Sequence, residues 1–373
     1  MQKPKICVYA IALNEEKFAA RFADSCRDAD LIVVGDTGST DNTVDILKNK
    51  SVIVHNIHIS PWRFDNARNA VLSLVPKDID ICISIDIDEC LVEGWRSKID
   101  KAWQESPNLN RIRYKYIWSW NENNTPKVEF INEKIHSRNG YTWLMPCHEY
   151  LKAHHNEEKV ILLSDLVVEH HPDNDKSRSQ YLSLLELGVK EKPYCDRSAY
   201  YYARELFFYK KYKEAVEEFK RYLNLNTATW KEERASSYRF LSDCYLELNN
   251  YDEAKNTALR SVLEYSETRD SWIQVAKVGY FTKDWHTCLW ALNKAFQIDY
   301  DLEKQSGHTE TDLCYGWYPY DLAAIAYYNL NQYDKAHLYG KLALNMSAQD
   351  TRLQSNLEFY IQKLKHENNS NNN

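Results

Sequence analysis

The pattern of apolar residues changes near residue 170, and this change limits the folds that the chain can adopt. Before it, short apolar runs alternate with segments of helical periodicity; the runs are residues 5–13, 31–35, 52–56 and 79–87. Near-continuous apolar runs are typical of parallel strands that are buried on both faces, and their alternation with helices favours an α/β sheet. From about residue 178 only helical patterns follow. The sequence therefore predicts an α/β domain followed by an all-α domain.

The helical half contains an internal repeat. Small residues recur in pairs twelve positions apart, which are Ala203 and Ala215, Ser242 and Ala254, Ala276 and Cys288, and Ala324 and Ala336. Small side chains at these positions let paired helices approach closely. The pattern resembles the tetratricopeptide repeat, whose period is about 34 residues, and a stack of such repeats presents a binding surface. A generic helical bundle is the alternative interpretation.

Composition and charge exclude several classes of protein. The chain has 373 residues and a formal net charge of −7, which excludes a globally basic nucleic-acid binder but leaves room for a local basic groove. Its apolar runs are far shorter than the ~20 residues of a membrane span, and the first residues lack a signal-peptide core, so we expect a cytoplasmic protein. The nine cysteines include no Cys-x-x-Cys pair, which argues against a disulfide framework or a zinc ribbon.

Acidic and amide residues follow three of the apolar runs. Asn14 and Glu15 follow the first run, the segment from Asp36 to Asp41 (DTGSTD) follows the second, and Asp86 and Asp88 end the fourth. Parallel strands bring their carboxyl ends to one edge of a sheet, where such proteins bind ligands. Two aspartates at positions i and i+2 of an extended segment project to the same side. We therefore expect these groups to meet in one acidic cleft.

Together with residues 62–69 (WRFDNARN), the order of these motifs resembles the nucleotide-sugar-binding half of a family 2 glycosyltransferase with the GT-A fold, a Rossmann-like mixed sheet. The resemblance covers residues 5–171 and implies inverting transfer from a nucleoside diphosphate sugar, most simply a UDP-sugar. It also implies a Mn²⁺ or Mg²⁺ ion, which stabilises the charge on the leaving diphosphate. By resemblance, the donor-binding residues are Asn14, Glu15, Asp36, Asp41, Asp65, Arg68 and Asp86, and the metal ligands are Asp88, Asp86 and His170 or His171. A histidine ligand suits Mn²⁺ better than Mg²⁺.

Inverting transfer needs a general base that takes the proton of the acceptor. The candidate is Glu149, with His148 orienting its carboxylate and Trp143 as a platform for a sugar. The sequence lacks the Glu-Asp pair that many family members carry at the position of the base, and Glu149 as a solvated turn residue is the alternative. Family 2 domains followed by tetratricopeptide-like repeats resemble bacterial and phage glycosyltransferases. We therefore expect the helical half to select a macromolecular acceptor (a peptide, a glycan or modified DNA) or to form a homodimer.

The expected domains are a catalytic domain at residues 1–172, a linker helix at 173–198, repeats at 199–364 and a disordered tail at 365–373. Two other functions stay open. One is a non-catalytic scaffold in which the repeats bind a partner, and the other is a hydrolase or phosphoryl-transfer enzyme that uses the same carboxylates. The intact pair of Asp86 and Asp88 favours a transferase over the scaffold. Cys90 stands where haloacid-dehalogenase phosphatases have Thr or Val, and a single DTGS segment cannot supply the two carboxylates of an aspartic protease.

Overall fold

The structure is a computed structural model that describes residues 3–121, 124–172, 180–305 and 311–371. It divides into two compact units, Met1–Lys192 and Pro193–Asn373. The segment expected to be a linker, residues 173–198, contains one helix in the first unit and the start of another in the second, while its residues 173–179 lie outside the described part. The last helix continues to Asn371, where a disordered tail was expected; residues 372 and 373 lie outside the described part.

The first unit is an α/β domain. In chain order its elements are β1 (Ile6–Ala12), α1 (Glu16–Ser25), β2 (Leu31–Asp36), α2 (Thr43–Asn49), β3 (Ile53–Asn56), α3 (Phe64–Leu74), β4 (Ile81–Ser84), β5 (Glu89–Leu91), α4 (Trp95–Glu105), β6 (Arg111–Trp120), β7 (Pro126–Ser137), β8 (Tyr141–Leu144), β9 (Tyr150–Ala153), β10 (Val160–His170) and α5 (Tyr181–Glu191).

Eight of these strands form one mixed sheet in the order β3-β2-β1-β4-β7-β6-β10-β5, and β8 and β9 form a separate hairpin. The first four strands are parallel: Val8 of β1 pairs with Ile32 of β2 and with Ile83 of β4. Strand β7 adds antiparallel to β4, with Ile135 opposite Ile83. The carboxyl ends of β1, β2 and β4 therefore meet at one edge, and the predicted mixed-sheet α/β class is confirmed.

Both faces of the central strand β1 are buried, which explains its continuous apolar sequence. Ile6 and Val8 belong to one apolar cluster, which includes Phe22 of α1. Tyr9 points to the other face and belongs to a second cluster, which includes Val71 of α3. Helices on both faces thus fix the sheet, and with it the positions of the loops at its carboxyl edge.

The second unit is entirely helical within its described residues. Its elements are α6 (Asp196–Phe208), α7 (Tyr212–Leu223), α8 (Lys231–Glu247), α9 (Tyr251–Glu264), α10 (Arg269–Phe281), α11 (Trp285–Ala295), a 3₁₀ turn (Leu302–Lys304), α12 (Thr311–Tyr315), α13 (Tyr318–Asn329), α14 (Tyr333–Met346) and α15 (Thr351–Asn371).

The pairs of small residues lie where consecutive helices touch. All eight are completely buried, one on each helix of the pairs α6–α7, α8–α9, α10–α11 and α13–α14. The hydroxyl of Ser242 even donates a hydrogen bond to the carbonyl of Ala254, at 2.9 Å. Each pair is joined by a turn with one left-handed residue at the same place, which is Lys210, Asn249, Lys283 or Asn331. The repeated pairs confirm the predicted tetratricopeptide-like helical architecture.

Two further properties of the chain follow from the fold. The nine cysteines all lie in described parts of the chain, where none forms a disulfide, and all but Cys195 are buried. Among the residues that the structure describes, no helix has the length and apolarity that crossing a membrane requires.

Candidate active site at the carboxyl edge of the sheet

The segments after β1 and β2 are joined by backbone and side-chain hydrogen bonds. The amide of Thr40 donates to Asn14 Oδ1 at 2.7 Å, and the amide of Asn14 donates to Ser39 Oγ at 2.9 Å. The amide of Glu15 donates to Thr43 Oγ1 at 2.6 Å. Asn14 has a left-handed backbone, with φ of 54°, which asparagine tolerates better than most residues. The two motifs therefore form one rigid rim of the cleft.

The carboxylates of the DTGSTD segment hold its own loop. Asp36 accepts hydrogen bonds from the amides of Gly38 at 3.0 Å and Ser39 at 3.1 Å. Asp41 accepts from the hydroxyl of Thr43 at 2.5 Å and from the amide of Glu16 at 3.1 Å. Partial burial opposes ionisation of Asp41, but these hydrogen bonds outweigh it and lower the pKa of that carboxyl. Both side chains thus shape the loop, and contact with a donor remains a prediction for them.

Arg68 joins two carboxylates that are far apart in sequence. Its side chain, 5% exposed, projects from α3. The Nε atom donates to Glu149 Oε1 at 2.5 Å, and Nη2 donates to Asp86 Oδ1 at 2.6 Å. The guanidinium also lies over the ring of Trp143, 5.0 Å from its centroid. Arg68 therefore links the end of β4 to the residue before β9, instead of standing open to a ligand.

A second cation balances Asp86. Lys134 Nζ, from β7, lies 3.4 Å from Asp86 Oδ2 and 3.5 Å from Glu89 Oε1. Burial alone would raise the pKa of Asp86, but the charges of Arg68 and Lys134 hold it well below its usual range. Asp86 is therefore ionised and tightly held.

Glu89 fixes the turn that carries the two aspartates. It is 1% exposed and accepts hydrogen bonds from the hydroxyl of Tyr116 at 2.5 Å and from the amide of Asp86 at 2.9 Å. Burial has the largest effect on Glu89 and raises the pKa of its carboxyl. The charge of Lys134 lowers this pKa and the charge of Asp86 raises it, and the net shift is upward. The basic and aromatic character of residues 111–138 includes Lys134, but the sequence did not predict its contact with Asp86 or that of Tyr116 with Glu89. Lys134 lies on β7, which pairs with β4, and Tyr116 lies on β6, which pairs with β7.

Asp88 and His170 face one another because β5 pairs with β10. His170 Nε2 lies 3.4 Å from Asp88 Oδ2, and Nδ1 lies 2.8 Å from the carbonyl of Trp118. The carbonyl requires a proton on Nδ1, which leaves Nε2 toward Asp88. Burial lowers the pKa of His170, but the hydrogen bond and charge of Asp88 outweigh it and the net shift is upward. The ring of His171 instead faces Glu169, at 3.2 Å.

Asp88 and His170 present one carboxylate oxygen and one imidazole nitrogen, which are atom types that divalent cations bind. Asp86 is engaged by Arg68, and among the described residues no three His, Cys, Asp or Glu side chains are arranged to hold a metal ion. Mg²⁺-type cations in enzymes are often bound by one or two protein ligands together with phosphate oxygens. Asp88 Oδ2 and His170 Nε2 fit that role.

Three other candidate residues have different surroundings. Asp65 is 4% exposed and receives two hydrogen bonds from Arg63, each 2.9 Å long, at the start of α3. His148 has a left-handed backbone with φ of 51°, and its ring lies edge-on to Tyr181 at 6.2 Å. Trp143 is 1% exposed, so the interpretation of this residue as a sugar platform is wrong. Its position on β8 turns the ring toward the interior, where Nε1 donates to the hydroxyl of Tyr9 at 2.8 Å.

A buried polar chain continues from Trp143 behind the cleft. The hydroxyl of Tyr9 lies 3.0 Å from Nε2 of His136, and Nδ1 of His136 lies 2.8 Å from the carbonyl of Ser137. Nδ1 therefore carries the proton and Nε2 accepts from Tyr9. Complete burial is the main reason that the pKa of His136 falls to about 3, so this ring is neutral.

A comparison with protein families finds a match within the first unit. The family model described as glycosyl transferase family 2 matches residues 7–157, which contain every strand from β2 to β9 and all but the first residue of β1. The predicted resemblance is thereby confirmed for this part of the chain, and the match supports a glycosyltransferase. No curated protein matches the chain.

Similar solved structures include proteins with helical repeats. The APC/C hetero-tetramer Cut9–Hcn1 is 16% identical with a TM-score of 0.40, covering 50% of this chain and 34% of that one, so the chain spans about a third of its length. TTC0263, a tetratricopeptide repeat protein of Thermus thermophilus, is 17% identical with a TM-score of 0.36, covering 50% and 90% of the two chains. YrrB, another such protein, is 14% identical with a TM-score of 0.39, covering 49% and 85%.

Proposed function

Starting from a glycosyl transferase family 2 domain at residues 7–157, we propose that the chain transfers a sugar from a UDP-sugar to an acceptor, with inversion and with a bound Mn²⁺ or Mg²⁺ ion. The observation that carries the proposal is the pair Asp88 and His170, 3.4 Å apart at the carboxyl edge of the sheet. Bound there, the cation would stabilise the negative charge that develops on the leaving diphosphate.

The surrounding residues hold this pair in place. Glu89 binds the amide of Asp86 and so fixes the turn, while the carbonyl of Trp118 fixes the proton of His170 on Nδ1. A histidine ligand whose other nitrogen is held by a carbonyl keeps its orientation and tautomer. Arg68 and Lys134 keep Asp86 ionised and contact both of its carboxylate oxygens. Asp86 can therefore accept hydrogen bonds from the sugar donor only with the lone pairs that these two cations do not use. Its proposed role is therefore to orient the donor, and Asp88 is the better ligand.

Glu149 is the proposed general base. Its Oε1 atom is held by Arg68, so the carboxylate has a defined direction, and its side chain is 11% exposed at the edge of the cleft. Because the same guanidinium holds Asp86, one side chain positions both the donor turn and the base. A base must lie within hydrogen-bond reach of the acceptor proton, and a carboxylate with one oxygen anchored can present the other.

The proposed acceptor is a macromolecule (a peptide, a glycan or modified DNA) selected by the helical unit. Stacked helix pairs present an extended surface, and this unit contains a groove of about 350 Å³ lined by Phe207, Leu246, Phe281, Asp243 and Lys277 among others. A homodimer formed through the same unit is the other role that we propose for the repeats.

Ligand-induced stabilisation tests the donor and the cation. A ligand that binds only the folded state stabilises it by about 2.7 kcal/mol at 100 times its dissociation constant. We expect UDP with Mn²⁺ to raise the unfolding temperature of the wild type, and Asp88→Asn to abolish this shift. The matched control is Asp165→Asn, an exposed aspartate of the same unit, which should keep it. If wild-type protein shows no shift, or Asp88→Asn shifts as much as wild type, the proposed function is wrong.

A further inference from the structure

An exposed indole lies directly beside the proposed cation site. Trp118, near the end of β6, stacks on the imidazole of His170 with ring centroids 4.4 Å apart and planes 20° apart. Large aromatic residues at the ends of buried strands normally pack inward, as Tyr116 does two positions earlier, at 2% exposed. Trp118 is 46% exposed. His170 therefore covers one face of the indole, while nearly half of the side chain stays exposed to solvent.

His170 also gives this indole a fixed position. The imidazole is held by the carbonyl of Trp118 itself at 2.8 Å and by Asp88 at 3.4 Å, and the neighbouring Trp120 donates from Nε1 to the carbonyl of His170 at 3.0 Å. A flat apolar surface that is already held in place binds a ring at little cost in side-chain entropy. The exposed part of the indole is thus a prepared stacking surface.

We propose that Trp118 stacks on the hexosyl ring of the donor and so supplies part of the affinity for the sugar; this rests on the proposed function. The sugar is bonded directly to the phosphate that a cation at Asp88 and His170 would hold. A ring attached to that phosphate begins next to the imidazole, and Trp118 is the exposed aromatic side chain stacked on it. Proximity to the cation therefore favours the sugar of the donor over that of an acceptor.

The chemistry of the two surfaces is complementary. A pyranose carries its C–H groups on its faces and most of its hydroxyls around its edge. The face of an indole is apolar and bears the negative part of the ring quadrupole, which attracts the slightly positive C–H hydrogens. Ligand sites commonly combine such an aromatic wall with a few polar groups that set orientation, which here are Asp86 and Lys134.

The experiment compares UDP with UDP-sugars and needs no acceptor. Dissociation constants for UDP, UDP-glucose and UDP-N-acetylglucosamine are measured by calorimetry with Mn²⁺ for wild type, Trp118→Ala and Trp118→Phe. We expect Trp118→Ala to weaken the preferred UDP-sugar about tenfold, or about 1.4 kcal/mol, and to leave UDP within about twofold of wild type. Trp118→Phe should weaken binding of the same UDP-sugar by a smaller factor, because it keeps an aromatic ring at this position. Trp290→Ala is the matched control, since Trp290 is equally exposed but lies in the helical unit.

Each other outcome contradicts the inference in a recognisable way. Equal weakening of UDP and UDP-sugar by Trp118→Ala would mean that the indole acts only by holding His170. Unchanged affinities for both UDP and the UDP-sugar in Trp118→Ala would mean that the indole does not touch the donor sugar. Wild-type protein that bound neither UDP nor a UDP-sugar would overturn the proposed function together with this inference, whereas the first two outcomes leave that function standing. Retained UDP binding also shows that Trp118→Ala is folded.

Discussion

Acidification from pH 7 to pH 5 should destabilise the first unit through one buried side chain, His136. Its ring is completely buried, which is the main reason that its pKa is lowered to about 3, and nearby Arg111 and Arg138 add to the effect against the opposing hydrogen bond to Ser137. In the unfolded chain the pKa returns to about 6.5. Between these two values the unfolded state binds more protons than the folded state, so stability falls as the pH falls.

The size of the effect follows from the two pKa values. Below the pKa of His136 in the unfolded chain, each further unit of pH lowers the free energy of unfolding by about 1.36 kcal/mol, until the pKa of the folded state is reached. A pH of 5 lies about 1.5 units below the pKa of about 6.5 in the unfolded chain, so the free energy of unfolding is lower by about 2 kcal/mol than at pH 7. The loss begins near the unfolded pKa of about 6.5 and would continue toward the folded pKa of about 3.

Hydrogen exchange measured by mass spectrometry can report the stability of the first unit separately from that of the second. The opening free energy of peptides from β1 is compared at pH 7 and pH 5, after correction for the intrinsic exchange rate. In His136→Gln, an amide oxygen can replace Nε2 as the acceptor for Tyr9. We expect this variant to lose about 2 kcal/mol less on acidification than wild type. His58→Gln, an exposed histidine of the same unit, should behave as wild type.

Two results would refute the reasoning. If wild type and His136→Gln lost equal stability between pH 7 and pH 5, the pH dependence would come from other groups. If His136→Gln lost more stability than wild type on acidification, the histidine would be charged in the folded protein, and the assignment of Nε2 as an acceptor for Tyr9 would be wrong.

Three further substitutions test other contacts. Arg68→Met should lower the free energy of unfolding, measured with urea at pH 7, by about 3 kcal/mol, because it leaves Asp86 and Glu149 without their shared cation. The control Arg113→Met, at an exposed arginine, should change this free energy by no more than about 0.5 kcal/mol. Equal losses in the two variants would contradict the prediction. Gly279→Ala should cost the helical unit about 1–3 kcal/mol in thermal unfolding, since a Cβ there would lie 2.8 Å from the amide nitrogen of Cys288; an unchanged melting temperature would contradict the close approach. Glu149→Gln should slow transfer at least about 100-fold in a UDP-release assay while UDP affinity stays unchanged, and equal loss of both would indicate a structural role.

Much of the first unit could be predicted from its apolar runs. Buried parallel strands have a continuous apolar sequence, and their carboxyl ends must share an edge, so Asn14, Asp36 and Asp86 could be placed together. The repeat of small residues located the helix pairs for a similar reason, because only small side chains permit the contact between Ser242 and Ala254.

The contacts of the charged groups could not be predicted. Arg68 pairs with residues 18 and 81 positions away, and Lys134 reaches Asp86 from a strand whose antiparallel direction has no sequence signature. An isolated aromatic residue gives equally little information. Trp143 and Trp118 have the same chemistry, yet one is 1% and the other 46% exposed, and only the packing of neighbouring elements distinguishes them.

The rim built from Asn14 and the loop after β2 has a kinetic consequence. Its amides and carboxylates are already joined to one another, so the donor that we propose would meet a finished surface rather than a loop that must first become ordered. Binding of the proposed donor at this rim would then involve no slow rearrangement, and its association rate should be set by diffusion and orientation. Changes that loosen the rim, such as Thr43→Val, would show first as slower association.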